Sequence, residues 1–144
     1  MFKFARKREV LWPVTVLVPL DDGSGQVAEM EIRIRYRLLT STELNDRARE
    51  ELEVALSAGV EGGAVDGMLA QLSPDRINKA MEDLKGRITG WEGLADEAGE
   101  PLAFTPENLD GVLEIPYLRT AIHRGLVEAS QGAPAKNSKA GSVS

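Results

Sequence analysis

The order of apolar and polar residues predicts an N-terminal β-hairpin over residues 9–38. Residues 10–19 are rich in β-branched and apolar side chains. From Met30 to Leu38, apolar and charged residues alternate, which is the pattern of a strand with one buried face. Between the two runs lies Asp21-Asp22-Gly23-Ser24-Gly25, a strong turn signal. This pattern predicts an antiparallel strand pair.

The first strand of this hairpin is expected at an edge of the sheet. Pro13 and Pro19 have no backbone N–H to donate to a neighbouring strand. An apolar edge of this kind needs a cover, and two covers fit the sequence. The protein's own helices can pack over it, or the edge can take part in self-association or in strand addition by a partner.

Helical periodicity follows the hairpin. Thr40-Ser41-Thr42-Glu43 has the spacing of a capping box and predicts a helix over about 42–57. Residues 59–67 are glycine-rich but lack the Gly-Lys-Ser/Thr of a phosphate-binding loop, so they are predicted to be a flexible linker. Ser73-Pro74-Asp75 is a second start signal and predicts a helix over 74–91. Its apolar stripe, at steps of three and four, is Ile77, Ala80, Met81, Leu84, Ile88 and Trp91.

The last third of the chain combines turn signals with two further helix starts. Glycines, a proline and acidic residues between Trp91 and Phe104 predict an acidic turn that pins the flanking helices together. Helices are predicted over 106–113 and 116–130, each with proline at its first position. Residues 131–144 lack periodicity and are predicted to be a disordered tail. The sequence thus predicts a single α+β domain over 1–130.

Composition and charge exclude several classes of function. The 144 residues carry a formal net charge of −6, which argues against a general nucleic-acid binder. The absence of cysteine excludes disulfides and thiolate metal sites. The basic start followed by LWPVTVLVPL imitates a signal peptide, but prolines interrupt this run and no cleavage site follows. Its ten residues are too few to span a bilayer, so a cytosolic protein without a membrane segment is expected.

The sequence offers little for catalysis. The one histidine, His123, is predicted on the outer flank of the last helix, as a surface residue rather than a catalyst. Asp96, Glu97 and Glu100 could bind a hard cation, but their spacing does not match a calcium loop, and such acids are common in turns. We therefore expect no catalytic residues, no metal and no cofactor, and a protein that is not an enzyme.

An ordered set of residues runs through the C-terminal third of the chain: Trp91, Gly93, Asp96, Gly99, Pro101, Leu102, Phe104, Pro106, Asn108, Leu109, Val112, Leu113, Pro116 and Tyr117. This set resembles the C-terminal half of the phage tail assembly chaperones, and the N-terminal hairpin resembles them in general outline. Two alanines, Ala98 and Ala103, stand where that family often has an acidic residue and a proline.

The resemblance implies a protein of long-tailed phages or prophages that binds the tape measure protein. It would keep that partner soluble and help tail tube assembly in the host cell cytoplasm, without staying in the mature virion. The alternative is a structural tail component, a tube or connector protein that self-assembles. The apolar residues expected to contact the tape measure protein, or other tail proteins, are Trp12, Val14, Val16, Trp91, Leu102, Phe104 and Tyr117.

Overall fold

The fold is α+β. The computed structural model describes residues 1–57 and 74–135, and within them lie a three-stranded antiparallel sheet and four helices. The linker predicted at 59–67 and the tail beyond residue 135 fall outside the described residues. In chain order the elements are β1 (Glu9–Pro19), β2 (Val27–Arg37), α1 (Ser41–Ser57), α2 (Pro74–Arg87), β3 (Ile88–Glu92), α3 (Pro106–Leu113) and α4 (Pro116–Gln131).

The chain separates into two compact units. One consists of Met1–Leu38 together with Lys85–Ser144, and the other of Leu39–Leu84. The first contains the whole sheet, α3 and α4, and the second contains α1 and most of α2. The single domain expected over residues 1–130 stays a prediction.

The sheet has the order β1-β2-β3. β1 and β2 pair along their whole length, from Glu9 opposite Arg37 to Pro19 opposite Val27. β3 pairs with only the second half of β2, beginning with Glu92 opposite Arg33. The hairpin therefore extends beyond the third strand at its turn end.

Backbone hydrogen bonds show which edge each residue of β1 faces. The Leu20 N–H donates to the Gln26 carbonyl over 2.9 Å, and the Leu38 N–H donates to the Arg8 carbonyl over 2.8 Å. Hydrogen-bonded pairs recur at every second residue of an antiparallel ladder. Even-numbered residues of β1 therefore bond to β2, and odd-numbered ones direct their N–H and C=O groups outward.

Both prolines of β1 occupy outward positions. Pro13 and Pro19 are odd-numbered, so neither removes a bond to β2, and each removes an N–H that an added strand would need. The Arg124 Nη2 of α4 donates to the outward carbonyl of Thr15 over 3.0 Å. The edge position predicted for the first strand is confirmed. Pro13, Pro19 and the Arg124 contact thus occupy outward positions of this edge, and self-association through it stays a prediction.

Helix α4 covers the apolar face of the hairpin. The buried Tyr36 hydroxyl donates to the Ile122 carbonyl over 2.6 Å, and burial raises the pKa of Tyr36. Gly125 lies so close to the sheet that a Cβ there would be 2.7 Å from Tyr36 Oη and 2.8 Å from Val14 Cγ2. The buried apolar residues of this unit are Val14, Val16, Ile32, Ile34, Tyr36, Ile88, Leu109, Val112, Leu113, Ala121, Ile122, Leu126 and Ala129. Of the two covers that the sequence allows, the protein's own helix is the one found.

The second unit begins with the predicted capping box. The Thr40 N–H donates to Glu43 Oε1 over 3.0 Å, and the Glu43 N–H donates to Thr40 Oγ1 over 3.3 Å. This reciprocal pair satisfies backbone donors that the first turn of α1 leaves open. Within the same unit, the Arg47 guanidinium forms an ion pair with Asp83 of α2.

One helix prediction is wrong at its end. Residues 74–91 are not one helix: α2 ends at Arg87, and Ile88–Glu92 form β3. Ile88 is buried, as the stripe predicts, but it lies in a strand opposite Tyr36. The local spacing of apolar residues fits both structures, whereas pairing with β2 gives the backbone of this segment a hydrogen-bonding partner.

The predicted tail is also corrected at its start. Gln131 is the last residue of α4, and Gly132 follows in the left-handed conformation with φ of +69°. Its N–H donates to the Ala129 carbonyl, which is a common way to end a helix. Helix α4 thus ends one residue later than predicted, with an ordered cap.

Candidate partner-binding site

Trp91 is held at the edge of the sheet by one hydrogen bond. It lies on β3 opposite Ile34, and its side chain is half-buried. The indole Nε1–H donates to the Leu102 carbonyl over 2.8 Å. A buried indole N–H needs such an acceptor, and the Leu102 carbonyl in the following turn supplies it.

Residues 93–105, called the knuckle loop below, are ordered by their own hydrogen bonds. One carboxylate oxygen of Asp96 accepts from the N–H groups of Ala98 and Glu100, over 2.9 and 3.0 Å. The Leu102 N–H donates to the Leu94 carbonyl over 2.8 Å. The acidic turn predicted from the sequence is therefore a small closed hairpin, in which Asp96 has a structural role.

The knuckle loop places Phe104 at the surface beside Trp91. The two ring centroids lie 4.9 Å apart at 86°, an edge-to-face pair. The Asn108 Nδ2 donates to the Ala103 carbonyl over 2.8 Å, and its backbone N–H donates to Thr105 Oγ1 over 3.1 Å. These bonds hold both sides of Phe104, yet 40% of its surface stays exposed.

A shallow apolar hollow lies next to Phe104. It has a volume of about 200 Å³ and is lined by Phe104, Pro106 and Leu109 of the knuckle loop and α3, and by Lys85 and Asp110 at its rim. Lys85 Nζ lies 2.6 Å from Asp110 Oδ1. The hollow thus combines an apolar floor with one paired positive and negative charge, which suits the polar border of a protein interface.

The other predicted contact residues are separated by the structure. Val14 and Val16 are buried under α4, so a surface that includes these two side chains is not present. Trp12 is half-buried, and its indole N–H has no hydrogen-bond partner among the described residues. Tyr117, in the first turn of α4, is 38% exposed. Leu102 is half-buried and contributes its carbonyl to Trp91.

Four residues of the hollow, Lys85, Pro106, Leu109 and Asp110, were not predicted as contact residues. Pro106 and Leu109 follow Phe104 by two and five residues in the sequence, so the helix start at Thr105 could have placed them nearby. Lys85 is nineteen positions earlier, and no local signal links it to Phe104. Its place depends on the pairing of β3 with β2, which tertiary structure alone decides.

The residues considered for catalysis or metal binding lie apart from this hollow. His123 is half-buried on α4, and Asp96, Glu97 and Glu100 are exposed in the knuckle loop. Across the described ranges 1–57 and 74–135, no three His, Asp or Glu side chains gather closely enough to hold a metal ion.

Two further findings bear on the class of protein. No helix within the described part of the chain is both long and apolar enough to cross a membrane. None of the family models, curated proteins and solved structures compared with the chain matches it.

Proposed function

We propose that this protein is a phage tail assembly chaperone that binds the tape measure protein, keeps it soluble and assists tail tube assembly. The proposal starts from the ordered set of residues that resembles this family. It includes action in the host cell cytoplasm and no catalytic activity.

The observation that carries the proposal is the exposure of Phe104 beside an apolar hollow. An aromatic ring fixed on one side by Trp91 and open on the other loses little conformational freedom when a partner covers it. Several residues of the resemblance build this arrangement: Asp96 closes the turn, Leu102 accepts the indole proton, and Asn108 ties down the loop.

The hollow fits one apolar side chain of a partner helix. Its volume of about 200 Å³ is near that of a single large side chain, and Leu109 and Pro106 supply the wall. An amphipathic helix offers such side chains every three to four residues, with polar groups on its flanks. Those polar flanks would meet the Lys85–Asp110 pair at the rim.

Solubilising a long apolar partner also requires a charged outer surface. This chain contributes a formal net charge of −6 to each complex, and like charge on separate complexes opposes aggregation. The sheet face opposite the helices adds Glu29, Glu31, Arg33 and Arg35, all exposed.

Co-expression tests the proposal. The partner is the product of the longest predominantly helical reading frame encoded just downstream, and the readouts are its soluble fraction and its recovery in a pull-down. We expect this partner to be insoluble alone and soluble with the chaperone, and Phe104→Ala to reduce the recovered complex about tenfold, the effect of losing one buried aromatic contact.

Phe4→Ala is the matched control, because Phe4 is an exposed phenylalanine outside the hollow. Thermal unfolding of each variant shows whether the domain stays folded. Equal recovery with wild type and a folded Phe104→Ala variant would refute the hollow as the binding site. A partner that neither binds nor changes solubility, together with polymers of the purified protein, would favour the structural tail component.

A further inference from the structure

The turn half of β2 has a free edge. β3 ends opposite Arg33, and Gly93 just beyond it lies against Ile32 and the Glu31 carbonyl, so Val27–Met30 has no neighbouring strand on that side within the described residues. By the alternation along the ladder, Val27 and Glu29 direct their N–H and C=O groups toward this side. No proline interrupts the segment, in contrast to β1. We call this segment the tip edge.

The tip edge is acidic on one face and apolar on the other. Glu29 and Glu31 are exposed on the face opposite the helices, and Met30 on the other face is 56% exposed. Between Leu17 and Glu31 the chain has four acidic residues and no lysine or arginine. An extended segment that binds here should therefore alternate basic and apolar side chains.

Residues Met1–Arg8, called the arm below, have this character. Phe2 and Phe4 are 74% and 77% exposed and alternate with Lys3. The arm has four basic residues and no acidic one, so the rest of the chain has an excess of ten acidic residues. Arg8 stacks over the Phe2 ring at 4.4 Å and donates to the Lys3 carbonyl over 3.4 Å, so these contacts stay within the arm.

We propose that the arm of a second copy adds as a strand to the tip edge. In one register Phe2 and Phe4 lie on the face of Met30, and Lys3 lies on the face of Glu29 and Glu31. The added strand satisfies the open N–H and C=O groups of β2, while the side chains match in charge and in polarity.

The arm of the same chain cannot reach this edge. Arg8 is held opposite Leu38 by a 2.8 Å hydrogen bond. Phe2, six residues from Arg8, can therefore lie at most about 21 Å from it along an extended chain. Met30, on whose face Phe2 and Phe4 would lie, is eight residues from Leu38 along β2, a distance of about 27 Å. The arm must come from another molecule.

Direct pairing of two tip edges is disfavoured. A two-fold pairing centred on Glu29 would place Glu29 opposite its own copy, and like charges directly opposite one another destabilise a sheet. Exchange of arms in both directions instead pairs basic with acidic segments and closes a two-fold dimer. Such a dimer is a small species and is compatible with a chaperone.

Sedimentation velocity over a range of protein concentrations tests the proposal. We expect a monomer–dimer equilibrium that weakens as salt rises, because the attraction is between exposed charges. An arm variant, Phe2→Ser with Phe4→Ser, and an edge variant, Glu29→Lys with Glu31→Lys, should each weaken dimerisation by about tenfold or more. Both change only exposed side chains, so the fold should persist, and thermal unfolding checks this.

Mixing the two variants gives the sharpest result. The edge variant keeps a working arm and the arm variant keeps a working edge, so a mixed dimer has one intact contact of the two. The mixture should therefore dimerise more strongly than either variant alone and more weakly than wild type. Phe104→Ala should dimerise like wild type, and Phe4→Ala should still bind the tape measure partner. Failure of this inference and failure of the proposed function are therefore distinguishable.

Three results would overturn the inference. A wild-type protein that stays monomeric up to its solubility limit excludes the contact. If neither variant weakens dimerisation, the dimer contact lies on another surface. Species that grow steadily with concentration contradict a closed pair and indicate open head-to-tail assembly.

Discussion

Replacing Gly125 with alanine measures how closely α4 lies on the sheet. The added Cβ would be 2.7 Å from Tyr36 Oη and 2.8 Å from Val14 Cγ2, both far inside van der Waals contact. Overpacking of this kind costs about 1–3 kcal/mol, and because the one Cβ would clash with two atoms, a cost near the upper end of this range is expected. In the interior of a helix, alanine has a more favourable helix propensity than glycine, by up to about 1 kcal/mol. The net expectation is a loss of about 2 kcal/mol in the free energy of unfolding.

Gly111→Ala is the matched control. Gly111 lies within α3, and apart from its chain neighbours and its own helix backbone, a Cβ there meets no atom of the described residues within 4 Å. The same change should therefore stabilise the protein by up to about 1 kcal/mol through helix propensity alone. Chemical denaturation of both variants gives their free energies of unfolding. The slope of free energy against denaturant concentration should be the same as in wild type.

A double variant locates the clash. Gly125→Ala with Tyr36→Phe removes the hydroxyl that lies 2.7 Å from the new Cβ. The double variant should then lose about 0.5–3 kcal/mol less unfolding free energy than the sum of the losses in the two single variants. If Gly125→Ala stabilises the protein as Gly111→Ala does, α4 is not packed closely against the hairpin at Gly125.

Two further predictions concern single hydrogen bonds. Tyr36→Phe removes the buried bond to the Ile122 carbonyl and should cost about 1 kcal/mol. Because burial raises the pKa of Tyr36, its hydroxyl ionises at a lower pH in the unfolded chain than in the folded protein. The stability that the neutral, buried Tyr36 contributes is therefore complete below about pH 10 and is lost as pH rises further. Wild-type stability, followed by circular dichroism, should therefore fall more steeply above pH 10 than that of Tyr36→Phe, and equal slopes would contradict this. Thr105→Ala removes the side-chain oxygen that caps the Asn108 N–H and should cost about 1 kcal/mol of unfolding free energy, measured by denaturant titration. The control Thr42→Ala, at an exposed position of α1, should cost less. Equal losses in the two variants would count against the cap.

Much of the first unit follows from local patterns. The alternation in β2 predicts the buried Ile32, Ile34 and Tyr36 because strand side chains alternate between faces. Thr105 and the proline after it predict the start of α3, because this pair fills the first positions of a helix with no lost hydrogen bond. These signals involve residues only a few positions apart.

The candidate site was predicted in part. The contact between Trp91 and Phe104 follows from the short turn that joins them. The glycines and Asp96 of this turn reverse the chain within a few residues, so its two ends stay close together. Val14 and Val16, two of the predicted contact residues, are buried, because the sequence shows that a strand is apolar without showing which face a helix covers. The hollow beside Phe104 needs Lys85, whose position depends on β3.

The sequence by itself determined the hairpin, the α+β class, the helix starts and the closed acidic turn, because each depends on short-range periodicity, capping or turn geometry. Tertiary structure alone decided that Ile88–Glu92 is a strand and that α4 lies on the hairpin at Gly125. It also left the turn half of β2 without a neighbouring strand among the described residues. Apolar spacing in those segments fits more than one structure, and the choice depends on hydrogen bonds and contacts with residues distant in the chain.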